Sequence, residues 1–406
     1  MKPADGMSRR GFLKTAAAGA AAVSVTPERA RGSEANSALR LGMIGCGRRG
    51  TRVADAFVDA TNTRMVALAD LFDDQLQKAR QHYAQKAEAR GQAGPEHLFL
   101  GPRAFEELAS CKDVDVVLIS SPDYFHPEHL EAVVEAGKHV YCEKPAAVDV
   151  AGCKRFMALG EKTQGRLSLD VGFNVRHAAP FSEMVKRIHE GRMGTVTGGS
   201  THYHARALHY PPRPGASALE KRIRNFYWDR VLSGDVIVDQ NIHVIDITNW
   251  VLGAHPVKAA GTGGRRVRGD EGDIWDHFNL VFTYPEDVHV SFDSIQYGEH
   301  FADVGCRYFG DQGVGEAYYN GTARLFGERE WHEEFDGLHD CDTVKVRSFV
   351  ESIRSGRFHN EAQAGATSAL SAILGRTAAY AGDEVTWDQM LASAQSYEGM
   401  IDLREL

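Results

Sequence analysis

The sequence predicts a chain in two parts, an α/β domain doubly wound on a parallel sheet and an α+β domain with a largely antiparallel open sheet. Two observations carry the first part. Short apolar runs at 39–45, 64–69, 114–120 and 139–143 alternate with helical patterns, an order that produces parallel strands. The first of these runs opens directly into a glycine-rich turn, Gly45-Cys46-Gly47-Arg48-Arg49-Gly50, and then a helix. One observation carries the second part. Segments of alternating polar and apolar residues recur at 195–205, 257–262, 278–284, 288–295, 307–309 and 323–326. Some are joined by the hairpin-type connections Pro285-Glu286-Asp287 and Gly310-Asp311-Gln312-Gly313.

A chain of 406 residues, 43% hydrophobic and 25% charged, has room for two ordinary globular domains. No apolar run reaches the roughly 18 residues that a membrane span needs. Residues 1–35 stand outside the fold. Ser8-Arg9-Arg10-Gly11-Phe12-Leu13-Lys14 before an alanine-rich run has the form of a twin-arginine export signal, so the expected location is the periplasm or another exported compartment. The expected domains are then 36–160 for the first part and 161–406 for the second. Formal charge is −9 overall, and the first 35 residues are net basic, so the body is more acidic still. That argues against a nucleic-acid partner. The six cysteines show no CxxC pair and no metal-ligand spacing, and they read as small buried hydrophobes.

In the first domain, strand 39–45 runs into GCGRRG and a helix with Val53, Ala56 and Phe57 on one face. Between a strand and a helix this is a Rossmann-type dinucleotide-binding turn. Gly45 allows the tight turn, Gly47 lets the backbone approach a pyrophosphate, and Gly50 lets strand and helix pack closely. Asp70, at the end of the second strand, is placed to accept from ribose hydroxyls and to repel a 2′-phosphate. NAD is therefore expected over NADP, although Arg48 and Arg49 bring charge that partly offsets Asp70. A helix at 73–89, a strand at 98–100, a helix at 103–110 and the strand at 114–120 follow. That strand ends in Ser121-Pro122-Asp123, ahead of His126-Pro127 and another helix. Strand 139–143 closes in Glu143-Lys144-Pro145, which puts a lysine ammonium at the carboxyl edge of the sheet, where such sheets bind ligands.

A helix at 153–163 and a strand at 167–173 lead into Asn174-Val175-Arg176-His177, near the expected substrate end; Arg176 could equally pair with a carboxylate. Residues 206–230, rich in proline, arginine and aromatics and including Tyr227, form a long irregular stretch that reads as a lid over the substrate or as an oligomer-contact arm. The segment 235–252 reads as one helix with Asp239, His243 and Asp246 on one face and Asn249 close by. It has no third His or Cys at metal spacing, so no metal site is expected. His202, His204 and His209 are kept as candidate substrate contacts. The tail carries two more helices, at 342–355 and 366–380.

Taken together, GCGRRG, Asp70, SPDYFHPEH, AGKHVYCEKP and DQNIH resemble the glucose-fructose oxidoreductase, inositol dehydrogenase and rhizopine catabolism (Gfo/Idh/MocA) family over nearly the whole chain after the signal. Ser121 stands where that family more often has threonine, and Asp123 where it often has asparagine. The resemblance implies a homodimer or homotetramer and a carbohydrate substrate. It implies His243 as general acid/base and Asp239 as its polar neighbour, with Lys144 orienting the reacting hydroxyl. His126 and Glu143 would line the nicotinamide end, Ser121 and Pro122 would also touch the cofactor, and Arg176, His177 and Tyr227 would face the substrate. The expected activity is hydride transfer between a carbinol carbon of a sugar, inositol or glycoside and a tightly held NAD, because an exported protein meets no pool of free cofactor. The alternatives are an NAD-dependent glycosidase acting by transient oxidation at C3, and a non-catalytic carbohydrate-binding protein that retains NAD.

Overall fold

The computed structural model describes residues 38–406 except 207, 208, 210, 270, 271 and 300; the export segment lies outside the described residues. The chain begins with β1 (Leu39–Ile44), α1 (Arg48–Ala60), β2 (Thr63–Asp70), α2 (Asp73–Ala89), β3 (His97–Leu100), α3 (Ala104–Ser110) and β4 (Val116–Ile119). It continues with α4 (His126–Glu135), β5 (His139–Cys142), α5 (Val150–Thr163) and β6 (Leu169–Val171). The six strands pair in parallel in the order β3-β2-β1-β4-β5-β6, the doubly wound order whose direction reverses between β1 and β4. Helices cover both faces, so the strands are apolar throughout: Val116, Val117, Leu118 and Ile119 of β4 are all fully buried. β6 lies beyond the boundary expected at residue 160, because the strand after α5 still adds to the parallel sheet.

The second part contains α6 (Ala179–His189), β7 (Val196–Ala205), α7 (Ala218–Arg224), α8 (Val236–Asp239), α9 (Ile242–Leu252), β8 (Lys258–Gly264), β9 (His277–Tyr284) and β10 (Val288–Gln296). After these come β11 (Asp303–Gly310), β12 (Gly313–Tyr318), β13 (Thr322–Gly327), β14 (Trp331–Glu334), α10 (Cys341–Ser355), α11 (Ala362–Ala381) and β15 (Val385–Thr386). Nine strands form one sheet, ordered β14-β13-β12-β11-β7-β10-β9-β8-β15. It is antiparallel apart from the β7–β10 pair. On one face Phe278, Phe282, Val290, Phe292 and Tyr308 are buried against helices including α6, α9 and α11. The opposite face keeps Val281, Phe309 and Phe326 exposed.

Three strands escape the expected list. β12 begins Gly-Val-Gly, which carries little strand propensity, while β14 and β15 are only four and two residues long. The helix expected over 235–252 is broken at Gln240 and Asn241. In an unbroken helix the Asp239 carbonyl would accept from the His243 amide. Here the Lys144 ammonium takes that carbonyl, and the His243 amide turns to Gln240 O at 3.4 Å. α10 returns to the first part and packs on α1, with the Phe57 ring edge-on to Phe349 at 5.9 Å and to Tyr141 at 5.7 Å. All six cysteines are free thiols. No helix among the described residues is long and apolar enough to cross a membrane.

Candidate active site

A cleft of about 1130 Å³ runs along the carboxyl edge of the parallel sheet, from the glycine turn to the broken helix. At its first end the glycines have different tasks. Gly45 has φ +90°, and a Cβ there would stand 2.5 Å from the Ser120 carbonyl oxygen. A Cβ on Gly50 would stand 2.2 Å from Gly45 O, whereas one on Gly47 meets nothing within 4 Å. The backbone at Gly47 is therefore open, and α1 begins there with no side-chain cap. The first-turn amides of a helix lack intrahelical partners, so this end suits a pyrophosphate. The Asp70 carboxylate accepts from the Cys46 amide at 2.7 Å and the Phe72 amide at 2.8 Å. Those bonds hold it at the cleft wall with lone pairs left for a ribose, although burial pushes its pKa up. The residues present thus fit a dinucleotide. Arg48 and Arg49 both line the cleft. Arg49, however, is committed elsewhere: its guanidinium forks onto Asp342 at 2.9 and 2.8 Å and lies 2.8 Å from Glu143. It fastens α1 and the end of β5 to α10.

At the other end the Lys144 ammonium donates to Asp239 Oδ1 at 3.0 Å and to the Asp239 carbonyl. The Lys144–Pro145 peptide is cis. Burial alone would lower the Lys144 pKa, but Asp239, Asp123 and Glu143 outweigh it and hold the ammonium charged. Sequence reasoning missed Asp123 as a member of this cluster. It is 3% exposed, lines the cleft, and its Oδ2 has no hydrogen-bond partner in the structure. Burial first, then the Asp239 charge, push its pKa well up, with the Lys144 ammonium opposing them. His243 also lines the cleft, with its ring edge-on to Phe173 at 6.3 Å and Nδ1 unpartnered. Burial, with Lys144 and Arg49 nearby, pushes it well below the ordinary histidine value, so the imidazole is neutral. Tyr203 and Tyr227 complete the wall, and burial raises both phenols, Tyr203 to about 12.

Several expected site residues stand elsewhere. His126 is fully buried behind the wall, with Nδ1 2.7 Å from Pro145 O and Nε2 3.0 Å from Ser121 O; it braces two cleft loops and does not face the cofactor groove. Ser121 and Pro122 do line the cleft, and Ser121 Oγ meets His129 Nδ1 at 2.9 Å. Arg176 forms a two-pronged pair with Asp246 at 2.7 and 2.8 Å and lies over Trp250. It therefore satisfies a buried carboxylate instead of facing the cleft, and Asp246 leaves the Asp239–His243 face with it. His177 is likewise outside the cleft; burial and Lys345 lower its pKa to about 4. His202 and His204 project from the sheet face opposite Tyr203, away from any substrate in the cleft.

Residues 39–171 match the family model described as oxidoreductase family, NAD-binding Rossmann fold, and residues 181–315 match the GFO/IDH/MocA C-terminal domain. Residues 6–26 match the twin-arginine translocation pathway signal sequence. An inositol 2-dehydrogenase of Ralstonia nicotianae is 25% identical over 333 residues, which span 78% of this chain and 87% of that enzyme. Inositol 2-dehydrogenase 3 of Saccharopolyspora erythraea is 27% identical over 336 residues, 78% of this chain and 86% of that one. Among solved structures, myo-inositol 2-dehydrogenase from Lactobacillus plantarum superposes with a TM-score of 0.69 at 21% identity, covering 86% of this chain and 99% of that chain.

Proposed function

The chain belongs to the GFO/IDH/MocA family of oxidoreductases acting on CH–OH groups with a nicotinamide cofactor, and from that premise we propose that it oxidises a carbinol carbon of a sugar, inositol or glycoside. The observation that carries this reading is the Lys144–Asp239 clamp in the same cleft as His243. The bound nicotinamide supplies the hydride acceptor. Lys144, held charged, orients the substrate hydroxyl and stabilises negative charge developing on its oxygen. His243, neutral and half-buried, receives the hydroxyl proton. Asp239 fixes the ammonium, and Tyr227 closes the substrate side. Gly45, Gly47, Gly50 and Arg48 hold the pyrophosphate end, while Ser121, Pro122 and Glu143 stand along the middle of the groove. Asp70 favours NAD over NADP by repelling a 2′-phosphate.

In this reading residues 1–35 address the chain to the periplasm, the parallel-sheet part from residue 36 through β6 binds NAD, and the remainder binds substrate and assembles a homodimer or homotetramer. The exposed Val281, Phe309 and Phe326 on the open sheet face support that assembly. Because the compartment offers no free NAD, the cofactor stays bound and is regenerated in place. The test is mass analysis and an absorbance spectrum of the purified exported protein, followed by addition of a polyol and sugar panel. Bound NAD reduced by at least one carbohydrate is expected. Protein that carries no nucleotide and turns over only with NAD added continuously would sink the retention; loaded protein that no carbohydrate reduces would sink the activity.

A further inference from the structure

On the sheet face opposite the cleft, β7 presents His202 and His204, two residues apart and therefore on the same side. Parallel pairing sets Asp293 of β10 opposite His202, and antiparallel pairing sets Asp303 of β11 opposite His204. We propose that His202, His204 and Asp303 form a site for one divalent transition-metal ion of the zinc type, with Asp293 beside His204.

The geometry is that of a ligand set. Ring nitrogens of His202 and His204 and a carboxylate oxygen of Asp303 lie within 4.8 Å of one another. His202 Nε2 is 3.1 Å from Asp303 Oδ2, close to the ~3.3 Å that separates neighbouring ligand atoms in a tetrahedral zinc site with bonds of about 2.0 Å. His204 Nε2 abuts Asp293 Oδ2. Despite the short approach, His202 Nε2 is a buried atom without a hydrogen bond, so its contact with Asp303 does not satisfy it. Its lone pair is available to an ion.

Charge points the same way. Among the described residues neither Asp293 nor Asp303 is paired with a lysine or arginine; each faces only a histidine. One divalent ion would supply the counter-charge that no lysine or arginine brings to these carboxylates. Two imidazoles and one carboxylate select a borderline ion such as Zn²⁺ over Mg²⁺ or Ca²⁺, which require mostly oxygen ligands. A second cluster, His97, Cys111 and Asp113, is geometrically similar, but Arg40 already neutralises Asp113 at 3.2 Å. The proposed ion ties the central strands β7 and β11 together, behind the wall that carries Tyr203.

The test uses the untagged, chelator-dialysed full chain, titrated with zinc sulfate by calorimetry. One equivalent per chain with a dissociation constant of about 1 μM or lower is expected. His202→Ala and His204→Ala each weaken it by on the order of 100-fold. Both side chains are partly exposed on the open sheet face of the single chain, and retained NAD content, circular dichroism and oligomeric state show that the variants fold and assemble. Zinc raises the melting temperature of the parent chain and not of the variants. Absence of saturable binding, equal affinity in the alanine variants, or displacement by an equal concentration of Mg²⁺ would each overturn the proposal.

Discussion

Lys144 sits where four charges have to be reconciled. Its ammonium is taken by Asp239, with Asp123 and Glu143 close behind, so it stays protonated in a setting that would otherwise lower its pKa. Lys144→Met removes the group that holds the hydroxyl. The expected result is unchanged NAD content, with turnover reduced by on the order of 100- to 1,000-fold; turnover within a factor of about two of the parent takes Lys144 out of the mechanism. Asp123 makes a different demand. A carboxyl with a raised folded pKa binds a proton that the unfolded chain has lost, so its contribution to stability falls as pH rises above its unfolded value near 3.9. Asp123→Asn supplies a permanent donor to Asp239 and removes that slope, at most about 1.4 kcal/mol per pH unit for one proton. The variant should melt higher than the parent at pH 7 and keep most turnover; a loss as large as that of Lys144→Met would mean that Asp123 works ionised. In sequence, Asp123 looks like a mild replacement of asparagine. What gives it weight is Asp239, more than a hundred residues away in the chain.

The stretch 206–230 reads equally well as a lid or as a contact arm. Its described part lies along the cleft, where Pro211, Arg213, Phe226 and Tyr227 form part of the wall. It is fastened there by α7: Arg224 forks onto Asp74 at 2.6 and 3.0 Å and stacks over Phe72 at 3.7 Å, while Leu219 and Ile223 pack with Phe125 and Leu232. Asp74 and Phe72 follow closely on Asp70, so the latch sits beside the Asp70 end of the cleft. A partly exposed ion pair and one cation–π contact together contribute about 1 kcal/mol. Arg224→Ala should therefore speed NAD release roughly five-fold, followed by loss of bound-cofactor fluorescence; an unchanged release rate would show that α7 is only a surface strut. The broken helix teaches a related lesson. Its pattern over 235–252 is helical throughout, and nothing local announces the break. A lysine just past the end of β5 takes one carbonyl and the helix restarts.

At the level of the whole molecule, the parallel sheet ends in a cleft closed by elements from the second sheet, and α10 comes back to pack on the first helix. Both ends of the described chain are thus built into one compact unit, Leu39–Leu406. A protein folded this way around a cofactor suits the twin-arginine route, whose signal it carries. Arg9→Lys with Arg10→Lys should leave folded, NAD-loaded protein in the cytoplasm, measured by fractionation; export at the parent level would mean that another segment addresses the chain.

Local pattern was enough to specify the alternation of strands and helices, the glycine turn with Asp70, the polar segment around Asp239 and His243, and the export signal. Each of these depends on neighbours within a turn, a strand or a single strand–turn–helix unit, where period and backbone freedom decide the outcome. Tertiary structure alone decided which polar groups meet. Arg176 is drawn to Asp246 and Arg49 to Asp342 and Glu143, because a buried carboxylate left without a counter-charge costs more than either arginine gains by facing a ligand. His126 is buried as a brace, Asp123 joins Lys144, and two histidines on β7 meet aspartates from β10 and β11. Those partners are brought together by sheet register and packing, which no stretch of the chain encodes locally.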